Sequence, residues 1–336
     1  MKRFTTIVVT IHNRERYLRQ CLDSIIKQTE RDIEIICVDD ASTDSCPDIL
    51  HEYEQKDGRI RLCLLEKNVG VQCARNIAMD MAKGEYIIYV DDDDWLSEDC
   101  VEHCMESFEQ YPDADCVLIP EKRVNTDGTM YDPADRIHFD CITGEEAFML
   151  SMPWRIAGNF CVSTQYQRKH RFDNTCRYFG DENTGRLMLL SAKKVVLSKG
   201  MYYYRMNEDS VCHTVGIGQY SRLQAQRKLA NELYDRGEKK DIRAAYETFC
   251  WQNVVGAYMR YYIERKKMTK DLRQKALALI KQGWRGMNFC LVNKSLKNKF
   301  GFMPIHSHWI FFRIQEELYF TLRTMLGRMN LDMDGE

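Results

Sequence analysis

Proline and glycine are scarce in this chain, which has 6 prolines and 18 glycines among its 336 residues. A low-complexity linker would need many more of both, so the composition excludes one. No run of 18 or more apolar residues occurs, and the sequence therefore predicts no membrane-spanning helix. Residues 1–3 lead directly into an apolar segment, without the longer apolar region of a signal peptide. With 44% hydrophobic and 29% charged residues, the chain has the composition of a globular protein.

Zinc-type cysteine spacing is also missing. The 14 cysteines are scattered, and no two of them form the C-x-x-C pair that zinc sites and redox motifs use. Because a disulfide scaffold would need an oxidising compartment, we expect free thiols and a cytoplasmic protein.

The net charge is low, at −2, but the charges are unevenly distributed. Residues 1–215 contain 26 basic and 38 acidic side chains, whereas residues 216–336 contain 22 and 12. The basic part is expected to contact something anionic, either a partner or the acidic part itself. Residues 260–313 hold 13 Lys and Arg interleaved with aromatic residues, which suits peripheral contact with the inner face of the cell membrane. Packing on the acidic part is the alternative, and no nucleic-acid partner is expected.

Short apolar segments alternate with helical patterns over the first 120 residues. Strands are predicted at residues 4–10, 33–38, 60–65, 85–90 and 114–120. Helices are predicted at residues 15–28, 45–56, 71–82 and 97–111, the last with Ser97 as its N-cap. This alternation predicts an α/β fold with a mostly parallel sheet and helices on both faces. Such sheets bind ligands where loops leave the carboxyl ends of the strands.

The pattern is less regular from residue 121 to 215 and becomes helical beyond it. A helix is predicted at 181–191, followed by strands at 195–198 and 201–205 and by helices at 223–234, 244–263, 272–280 and 309–329. The last helix has one apolar stripe, formed by Phe311, Ile314, Leu318, Leu322 and Met325. We therefore expect an N-terminal domain over 1–215, with halves 1–120 and 121–215, and a basic helical extension over 216–336.

Four consecutive aspartates, at 91–94, directly follow a predicted strand. Their mutual repulsion at the end of a buried strand can be relieved by a divalent cation. Alternate residues of a strand point the same way, so Asp91 and Asp93 can face one cleft. Mg²⁺ or Mn²⁺ prefers one or two carboxylates together with substrate phosphates. A solvated acidic loop that caps the following helix is the alternative.

Two further segments can bind a nucleotide. Asp39 and Asp40 follow the second predicted strand, where a carboxylate can accept a hydrogen bond from a nucleobase or a ribose hydroxyl; a helix cap or turn is the alternative. Arg75 lies near the start of the third predicted helix, where its guanidinium could bind a diphosphate with two hydrogen bonds. A surface arginine on a helix is the alternative.

The order of three motifs is more informative than any one of them. V-D-D-A-S-T-D at 38–44 is followed by N-V-G-x-x-x-A-R-N at 68–76 and by Y-V-D-D-D-D-W-L at 89–96. This combination resembles the second family of glycosyltransferases, which are inverting enzymes with the GT-A fold. The resemblance is close over residues 4–120 and looser to about residue 215.

The resemblance implies roles for the residues that match the family's motifs. Thr10, Asp40 and Arg75 would hold the nucleotide, with Asp40 at the base and Arg75 near the diphosphate. The aspartates at 91–93 match the family's D-x-D signature, which implies a Mg²⁺ or Mn²⁺ cofactor. Asp93 would be the direct metal ligand, and Asp91 and Asp92 would contact the ribose or complete the metal shell.

A second family signature is an acidic pair, usually E-D, that opens a later helix. Here the segment is F-G-D-E-N at 179–183, so the family's glutamate falls on Gly180 and the pair is displaced to D-E. The resemblance implies that Asp181 is the catalytic base and that Glu182 is its rival. A helix N-terminus that favours acidic residues through its dipole is the alternative.

The segment Y-Y-Y-R at 202–205, with His213 beyond it, resembles the family's loop over the donor diphosphate. Arg205 would then contact phosphate, and His213 phosphate or the metal. Trp154 begins the segment expected to line the acceptor side, although the family's W-x-K-L-Y-R motif is not kept there.

Together these motifs imply an inverting glycosyltransferase with a nucleotide-diphosphate donor, a UDP-sugar, and a hydroxyl acceptor on a glycan or a lipid-linked glycan. Surface or capsular polysaccharide synthesis is the expected setting. Two alternatives stay open. The altered acidic pair is compatible with a non-catalytic nucleotide-sugar-binding protein. A nucleotidyltransferase would have a glycine-rich phosphate loop after the first strand, and residues 10–14 contain no glycine.

Overall fold

A computed structural model describes residues 4–133, 136–156, 158–176, 178–206, 216–303 and 308–327. The chain divides into two units, Met1–Asn207 and Glu208–Glu336.

The N-terminal unit begins with four rounds of strand and helix, as the apolar periodicity predicts. They are β1 (Thr5–Ile11), α1 (Glu15–Ile26), β2 (Ile33–Asp39), α2 (Cys46–Lys56), β3 (Ile60–Leu64), α3 (Val71–Met81), β4 (Tyr86–Asp91), β5 (Trp95–Leu96) and α4 (Cys100–Gln110). The elements that follow are shorter: β6 (Cys116–Leu118), β7 (Glu121–Val124), β8 (Met130–Tyr131), β9 (Cys141–Ile142), α5 (Gly144–Ser151), β10 (Phe160–Ser163), α6 (Thr164–Lys169), α7 (Gly180–Ser191), β11 (Val195–Leu197) and β12 (Tyr202–Arg205).

An eight-stranded sheet organises this unit, in the order β3-β2-β1-β4-β10-β6-β11-β9. The first four strands of that order are parallel, so the carboxyl ends of β1, β2 and β4 lie at one edge. Strand β10 is antiparallel to both of its neighbours, and β11 is parallel to β6. The predicted α/β class with a mostly parallel sheet is confirmed.

Two apolar cores cover the two faces of the sheet, because successive strand residues point to opposite sides. Ile7 and Ile88 pack with α1, α2 and α4 on one face. Val8 and Ile87 pack with α3, α5 and α7 on the other. The sheet is therefore fixed from both sides, and its carboxyl edge is a rigid support for loops.

A second sheet of four short strands, in the order β5-β12-β7-β8, was not predicted. In it Tyr202 pairs with Leu96, and the N–H of Ser97 donates to the carbonyl of Met201 (2.9 Å). The chain therefore remains extended at Ser97, and α4 begins at Cys100 with Asp99 in the N-cap position. The prediction that Ser97 caps this helix is wrong.

The C-terminal unit is helical where it is described. Its helices are α8 (Gly218–Asp235), α9 (Lys240–Glu264), α10 (Lys270–Arg285), α11 (Lys294–Lys297) and α12 (Trp309–Met325). Trp251, Tyr258 and Phe312 are fully buried at the centre of its aromatic core. Within this core Arg227 forms a pair with buried Glu247 (2.7 Å).

The described residues contain 13 cysteines, and all are free thiols, whereas Cys212 lies outside these residues. No helix of the described ranges is both long enough and apolar enough to cross a membrane.

Candidate functional site

The loops that follow β1 and β2 are joined at the carboxyl edge of the sheet. The side-chain carbonyl of Asn13 accepts from the N–H of Thr43 (2.8 Å), and Ser42 Oγ accepts from the N–H of Asn13 (3.0 Å). Asn13 and Ala41 have left-handed backbones, with φ of 54° and 58°. Such conformations cost energy for residues other than glycine and cluster at functional sites.

The two aspartates after β2 have different surroundings. Both oxygens of Asp40 accept from backbone amides, those of Val69 (2.6 Å) and Gly70 (2.8 Å), so Asp40 fixes the loop before α3. Asp39 accepts from the N–H of Ser42 (3.0 Å) through Oδ2. Its Oδ1 is buried and has no hydrogen-bond partner among the described residues. Asp39 therefore has a buried acceptor without a partner in the described part of the chain, whereas each oxygen of Asp40 accepts one backbone hydrogen bond, and the role of Asp40 at the base stays a prediction.

Three of the four aspartates are partly exposed, and the fourth is buried. The side chains of Asp91 and Asp93 are 45% and 20% exposed. Asp92 accepts from the N–H of His12 (2.9 Å). Asp94 is 1% exposed and accepts from the hydroxyl of Tyr202 and the N–H of Arg205, both at 2.8 Å. Strand β4 ends at Asp91 and the chain turns there, with the N–H of Asp94 donating to the carbonyl of Asp91 (3.1 Å), so strand alternation does not orient Asp93; its carboxylate pairs with Arg14 (3.6 Å).

Burial and neighbouring charge shift the pKa values of Asp92 and Asp94. Burial, and then the neighbouring charge of Asp93, raise the pKa of Asp92 and the pKa of Asp94 well above the usual range. An added cation or proton near these groups therefore lowers their electrostatic energy.

Arg75 connects this run to the acidic pair at the start of α7. Its Nη2 lies 2.5 Å from Asp91 Oδ1, and its Nη1 lies 3.5 Å from Asp181 Oδ2. The guanidinium is buried and lies over the ring of Phe172 (5.3 Å to the centroid). Burial alone would lower the pKa of Arg75, but Asp91 and Asp181 outweigh it and the pKa is raised. Arg75 thus stays charged between two carboxylates.

Asp181 and Glu182 point to different places, as expected for adjacent residues of a helix. The side chain of Asp181 is 47% exposed and faces Arg75. Glu182 is 10% exposed and pairs with buried Arg186 (2.9 Å). Asp181 is therefore the member of the pair that lies beside the acidic run and is open to a ligand.

Gly180 explains the displaced acidic pair. A Cβ at this position would lie 2.3 Å from the carbonyl oxygen of Asp173, a distance that no side chain tolerates. The family's glutamate cannot be placed here without moving the backbone, so the first acid of α7 is Asp181.

Arg205 closes the site from the second sheet. Its Nε donates to the carbonyl of Asp93 (2.9 Å), and its guanidinium lies between the rings of Tyr17 and Trp95, 4.8 and 4.7 Å from their centroids. Nη2 also donates to Gln20 Oε1 (2.6 Å). Arg205 thus adds fixed positive charge next to the acidic run, whereas His213 lies outside the described residues.

Two other residues complete the arrangement. Thr10 is buried and pairs in register with Asp91, which places it at the cleft edge of β1. Tyr202, which the sequence marks only as part of the Y-Y-Y-R segment, accepts from the N–H of Asp91 (3.1 Å) and donates to Asp94. Its role depends on pairing across more than 100 residues, for which a local pattern carries no signal.

The carboxylates of Asp91 and Asp93 fit a hard divalent cation, since Mg²⁺ and Mn²⁺ use one or two carboxylates and take other ligands from phosphates and water. Within the described ranges, no three His, Cys, Asp or Glu side chains form a group that could hold a metal by themselves. The donor set is therefore of the kind that a bound diphosphate would complete.

Known proteins resemble the chain in sequence. A family model for glycosyl transferase family 2 matches residues 6–171. Glycosyltransferase GlyG of Streptococcus pneumoniae is 30% identical over 232 residues, which cover 64% of this chain and 74% of GlyG. The poly(ribitol-phosphate) beta-glucosyltransferase of Bacillus spizizenii is 32% identical over 213 residues, 61% of this chain. The aligned part is 32% of that enzyme's length.

The fold also has a close counterpart. The crystal structure of S. aureus TarS 1–349 in complex with UDP-GlcNAc has a TM-score of 0.75 at 19% identity, and the match covers 94% of this chain and 91% of that one. The shared fold is the GT-A fold expected from the sequence. The chain belongs to glycosyl transferase family 2, as its 30% identity to GlyG over 74% of that protein's length shows together with the family model.

Proposed function

We propose that this glycosyltransferase moves a sugar from a nucleoside-diphosphate donor, a UDP-sugar, to a hydroxyl group of a glycan or a lipid-linked glycan, with inversion at the anomeric carbon. The observation that carries the proposal is the bridge from Asp91 through Arg75 to Asp181 at the carboxyl edge of the sheet. An exposed acid that can take up a proton then lies beside an acidic run that could bind a diphosphate through a divalent cation, which supports the proposal.

The donor half of the site has groups for a base and for a diphosphate. Asp39 and Asp40 stand at the carboxyl end of β2, and we assign this pair to the nucleobase, from which a carboxylate can accept an N–H hydrogen bond. Thr10 and Asp91 are placed for the sugar part of the nucleotide, and Arg205 supplies positive charge for the diphosphate. That TarS, with the same fold, was crystallised with UDP-GlcNAc supports uracil as the base.

A single displacement accounts for these groups. Asp181 accepts the proton of the acceptor hydroxyl as its oxygen attacks the anomeric carbon. The bond from that carbon to the diphosphate oxygen breaks, and the diphosphate leaves with the electron pair. Arg75 Nη1, 3.5 Å from Asp181 Oδ2, holds this carboxylate in position in the first turn of α7. One displacement inverts the configuration, so we assign no nucleophile to the protein.

We also propose that Asp93 and Asp91 hold a Mg²⁺ or Mn²⁺ ion. When bound, such an ion neutralises charge on the leaving diphosphate. The protein's part is to keep two carboxylates open to the cleft while Asp94 and Tyr202 fix the turn beneath them.

The acceptor belongs to a surface polymer in this proposal. The name of the Bacillus spizizenii relative, a poly(ribitol-phosphate) beta-glucosyltransferase, supports both a polymeric acceptor and a β-linked product. Synthesis on the cytoplasmic side of the membrane fits a nucleotide-sugar donor.

A panel of nucleotide-sugars, screened for thermal stabilisation and for release of nucleoside diphosphate with and without Mg²⁺ or Mn²⁺, tests the proposal. A UDP-sugar should raise the melting temperature and be slowly hydrolysed in the presence of metal. Stabilisation without any turnover, even with candidate acceptors, would favour a non-catalytic binding protein. If no nucleotide-sugar stabilises the protein, the donor assignment is wrong.

A further inference from the structure

Helix α12 of the C-terminal unit has an apolar face that is open to solvent. We call this face the ridge; its members are between 49% and 77% exposed, and they are Ile310, Phe311, Ile314, Leu318, Leu322 and Met325. It contains the stripe that the sequence predicts for this helix. The predicted stripe therefore exists, and it is exposed to solvent.

The opposite side of α12 packs into the C-terminal unit, with Phe312, Gln315, Glu316 and Phe320 buried. Phe312 and Phe320 are buried in the aromatic core of the unit, which fixes the helix in place. A contiguous exposed apolar face of this kind marks an interaction site, so the ridge needs a further apolar surface. With 17 residues α12 is about 25 Å long, which gives the ridge a length of several turns.

Basic residues border the start of the ridge. Lys281 and Arg285 of α10 line a shallow cleft of about 350 Å³ together with His308, Trp309 and Ile310. Ile310 belongs to both the cleft and the ridge, so cationic and apolar surfaces are continuous.

Residues 294–303, which precede α12, also carry positive charge. Phe300 packs edge-on against Tyr319 of α12, with centroids 5.4 Å apart, and itself remains 45% exposed. The same segment carries three lysines, at positions 294, 297 and 299. The acids of α12 do not oppose this charge, because Glu316 is buried and Glu317 pairs with Arg265 (2.5 Å).

We propose that the ridge and the adjoining basic cleft dock the protein on an anionic lipid bilayer, with α12 in the plane of the interface. An apolar helix face bordered by Lys, Arg and Trp is the arrangement that binds such surfaces, because apolar side chains enter the acyl boundary while cations meet the headgroups. A second copy of the chain fits less well, since it would bring two basic borders together. The proposal does not depend on the transfer reaction.

Co-sedimentation with vesicles tests this surface. Vesicles of phosphatidylcholine with about 30% phosphatidylglycerol should bind the full chain at low salt, and phosphatidylcholine alone should bind it much less. Lys281→Glu should weaken binding about tenfold or more, whereas Lys275→Glu, the same change on the same helix away from the cleft, should have a much smaller effect. Lys275 is 62% exposed and pairs with Asp271, so it is a matched control.

The apolar part is tested with the double variant Ile314→Ser and Leu318→Ser. Both residues are exposed, so the melting temperature should be unchanged while vesicle binding falls at least several-fold. Tyr234→Ser, a change at a 65% exposed aromatic of α8, is the control and should bind as the wild type does. Loss of binding only with Lys281→Glu would mean a purely electrostatic contact and would overturn the role of the ridge.

Two other outcomes would overturn the proposal as a whole. The first is no sedimentation with anionic vesicles at low salt. The second is that the ridge variants turn a dimer into a monomer in analytical ultracentrifugation without changing vesicle binding, since the ridge would then join two copies. Because nucleotide-sugar hydrolysis is measured separately, failure here leaves the proposed reaction intact.

Discussion

Arg75 Nη1 lies 3.5 Å from Asp181 Oδ2, so a buried arginine of α3 reaches the first turn of α7. The same guanidinium is bonded to Asp91, the last residue of β4. Three elements that are far apart in sequence thus meet through one side chain. The contact gives Asp181 a fixed position, whereas Glu182 pairs with Arg186 (2.9 Å).

Replacing Asp181 with Asn should reduce turnover by at least about 10²-fold, the usual scale for loss of a general base. Nucleotide-sugar binding should be kept, because Asn has nearly the same shape. Initial rates with saturating donor and acceptor, together with donor titrations, measure the two effects.

Glu182→Gln is the matched control, and its effect should be on stability. It leaves Arg186, which is 3% exposed, with a neutral partner, and the free energy of unfolding should fall by on the order of 3 kcal/mol. If Glu182→Gln is inactive at a temperature where it is folded, and Asp181→Asn is active, the two residues have exchanged roles.

The four consecutive aspartates should separate into two kinds in mutants. Asp93→Ala should abolish metal-dependent transfer and lower the free energy of unfolding by no more than about 1 kcal/mol, because the part-exposed pair that it loses with Arg14 (3.6 Å) is weak. Asp94→Ala should lower the free energy of unfolding by about 1–3 kcal/mol, because Tyr202 and the N–H of Arg205 lose a buried acceptor. Thermal melts and assays with chelator, then with added Mg²⁺ or Mn²⁺, test both statements. Full activity in excess chelator would contradict the metal assignment.

Much of the first sheet could be predicted because its information is local. Apolar periodicity marks β1 to β4 and the helices between them, and the run at 91–94 marks the cleft. Strand β10, which enters antiparallel between β4 and β6, carries no such mark, since its neighbours are remote in sequence. Ser97 fails as a cap for the same reason, because the bond to Met201 decides the local backbone.

The candidate site could likewise be predicted only in part. The residue types at 39, 40, 75 and 91–94 are visible in sequence, but their partners are not. Asp40 is occupied by the amides of Val69 and Gly70, and only the folded loop reveals this. Likewise, the choice between Asp181 and Glu182 depends on where Arg75 and Arg186 lie, which no spacing rule supplies.

Gly180→Ala should damage both stability and activity. The new methyl group would lie 2.3 Å from the carbonyl oxygen of Asp173, so the start of α7 must move. We expect a loss of about 1–3 kcal/mol in the free energy of unfolding and at least about a tenfold loss in turnover, because Asp181 moves with the helix. Gly58→Ala is the control, since a Cβ there meets no atom within 4 Å. If the two variants have the same free energy of unfolding and the same turnover, α7 tolerates the shift and this prediction is wrong.

Trp154 should contribute to acceptor binding. It is 41% exposed, has a left-handed backbone (φ 56°), and its ring lies 5.4 Å from the guanidinium of Arg186, the partner of Glu182. An exposed ring held in this way can stack on a sugar of the acceptor. Trp154→Ala should raise the acceptor KM about 5- to 10-fold, while hydrolysis of the donor without acceptor is unchanged. Trp154→Phe should recover part of the affinity; an unchanged acceptor KM in Trp154→Ala would exclude this role.

Glu316 should make the stability of the C-terminal unit depend on pH. It is fully buried, and burial raises its pKa to about 8, with one hydrogen bond from Gln315 (2.9 Å) acting in the opposite direction. The unfolded chain has a pKa of about 4.3 for this group, so between these values the native state holds a proton that the unfolded state has released. The stabilisation is therefore complete below about pH 4.3 and is lost as the pH rises towards 8.

Glu316→Gln removes this titration, and at pH 8 it should be more stable than the wild type by on the order of a few kcal/mol. Denaturant unfolding of the variant and of the wild type at pH 5 and pH 8 gives the difference in their free energies of unfolding. The other titrating groups are the same in both proteins, so their contributions cancel. Glu232→Gln, at an exposed glutamate of α8 that pairs with Arg236, should show the wild-type pH dependence. If Glu316→Gln also keeps the wild-type dependence, the carboxyl group ionises in the native state near its ordinary pKa, and the burial of this side chain is not what governs its charge.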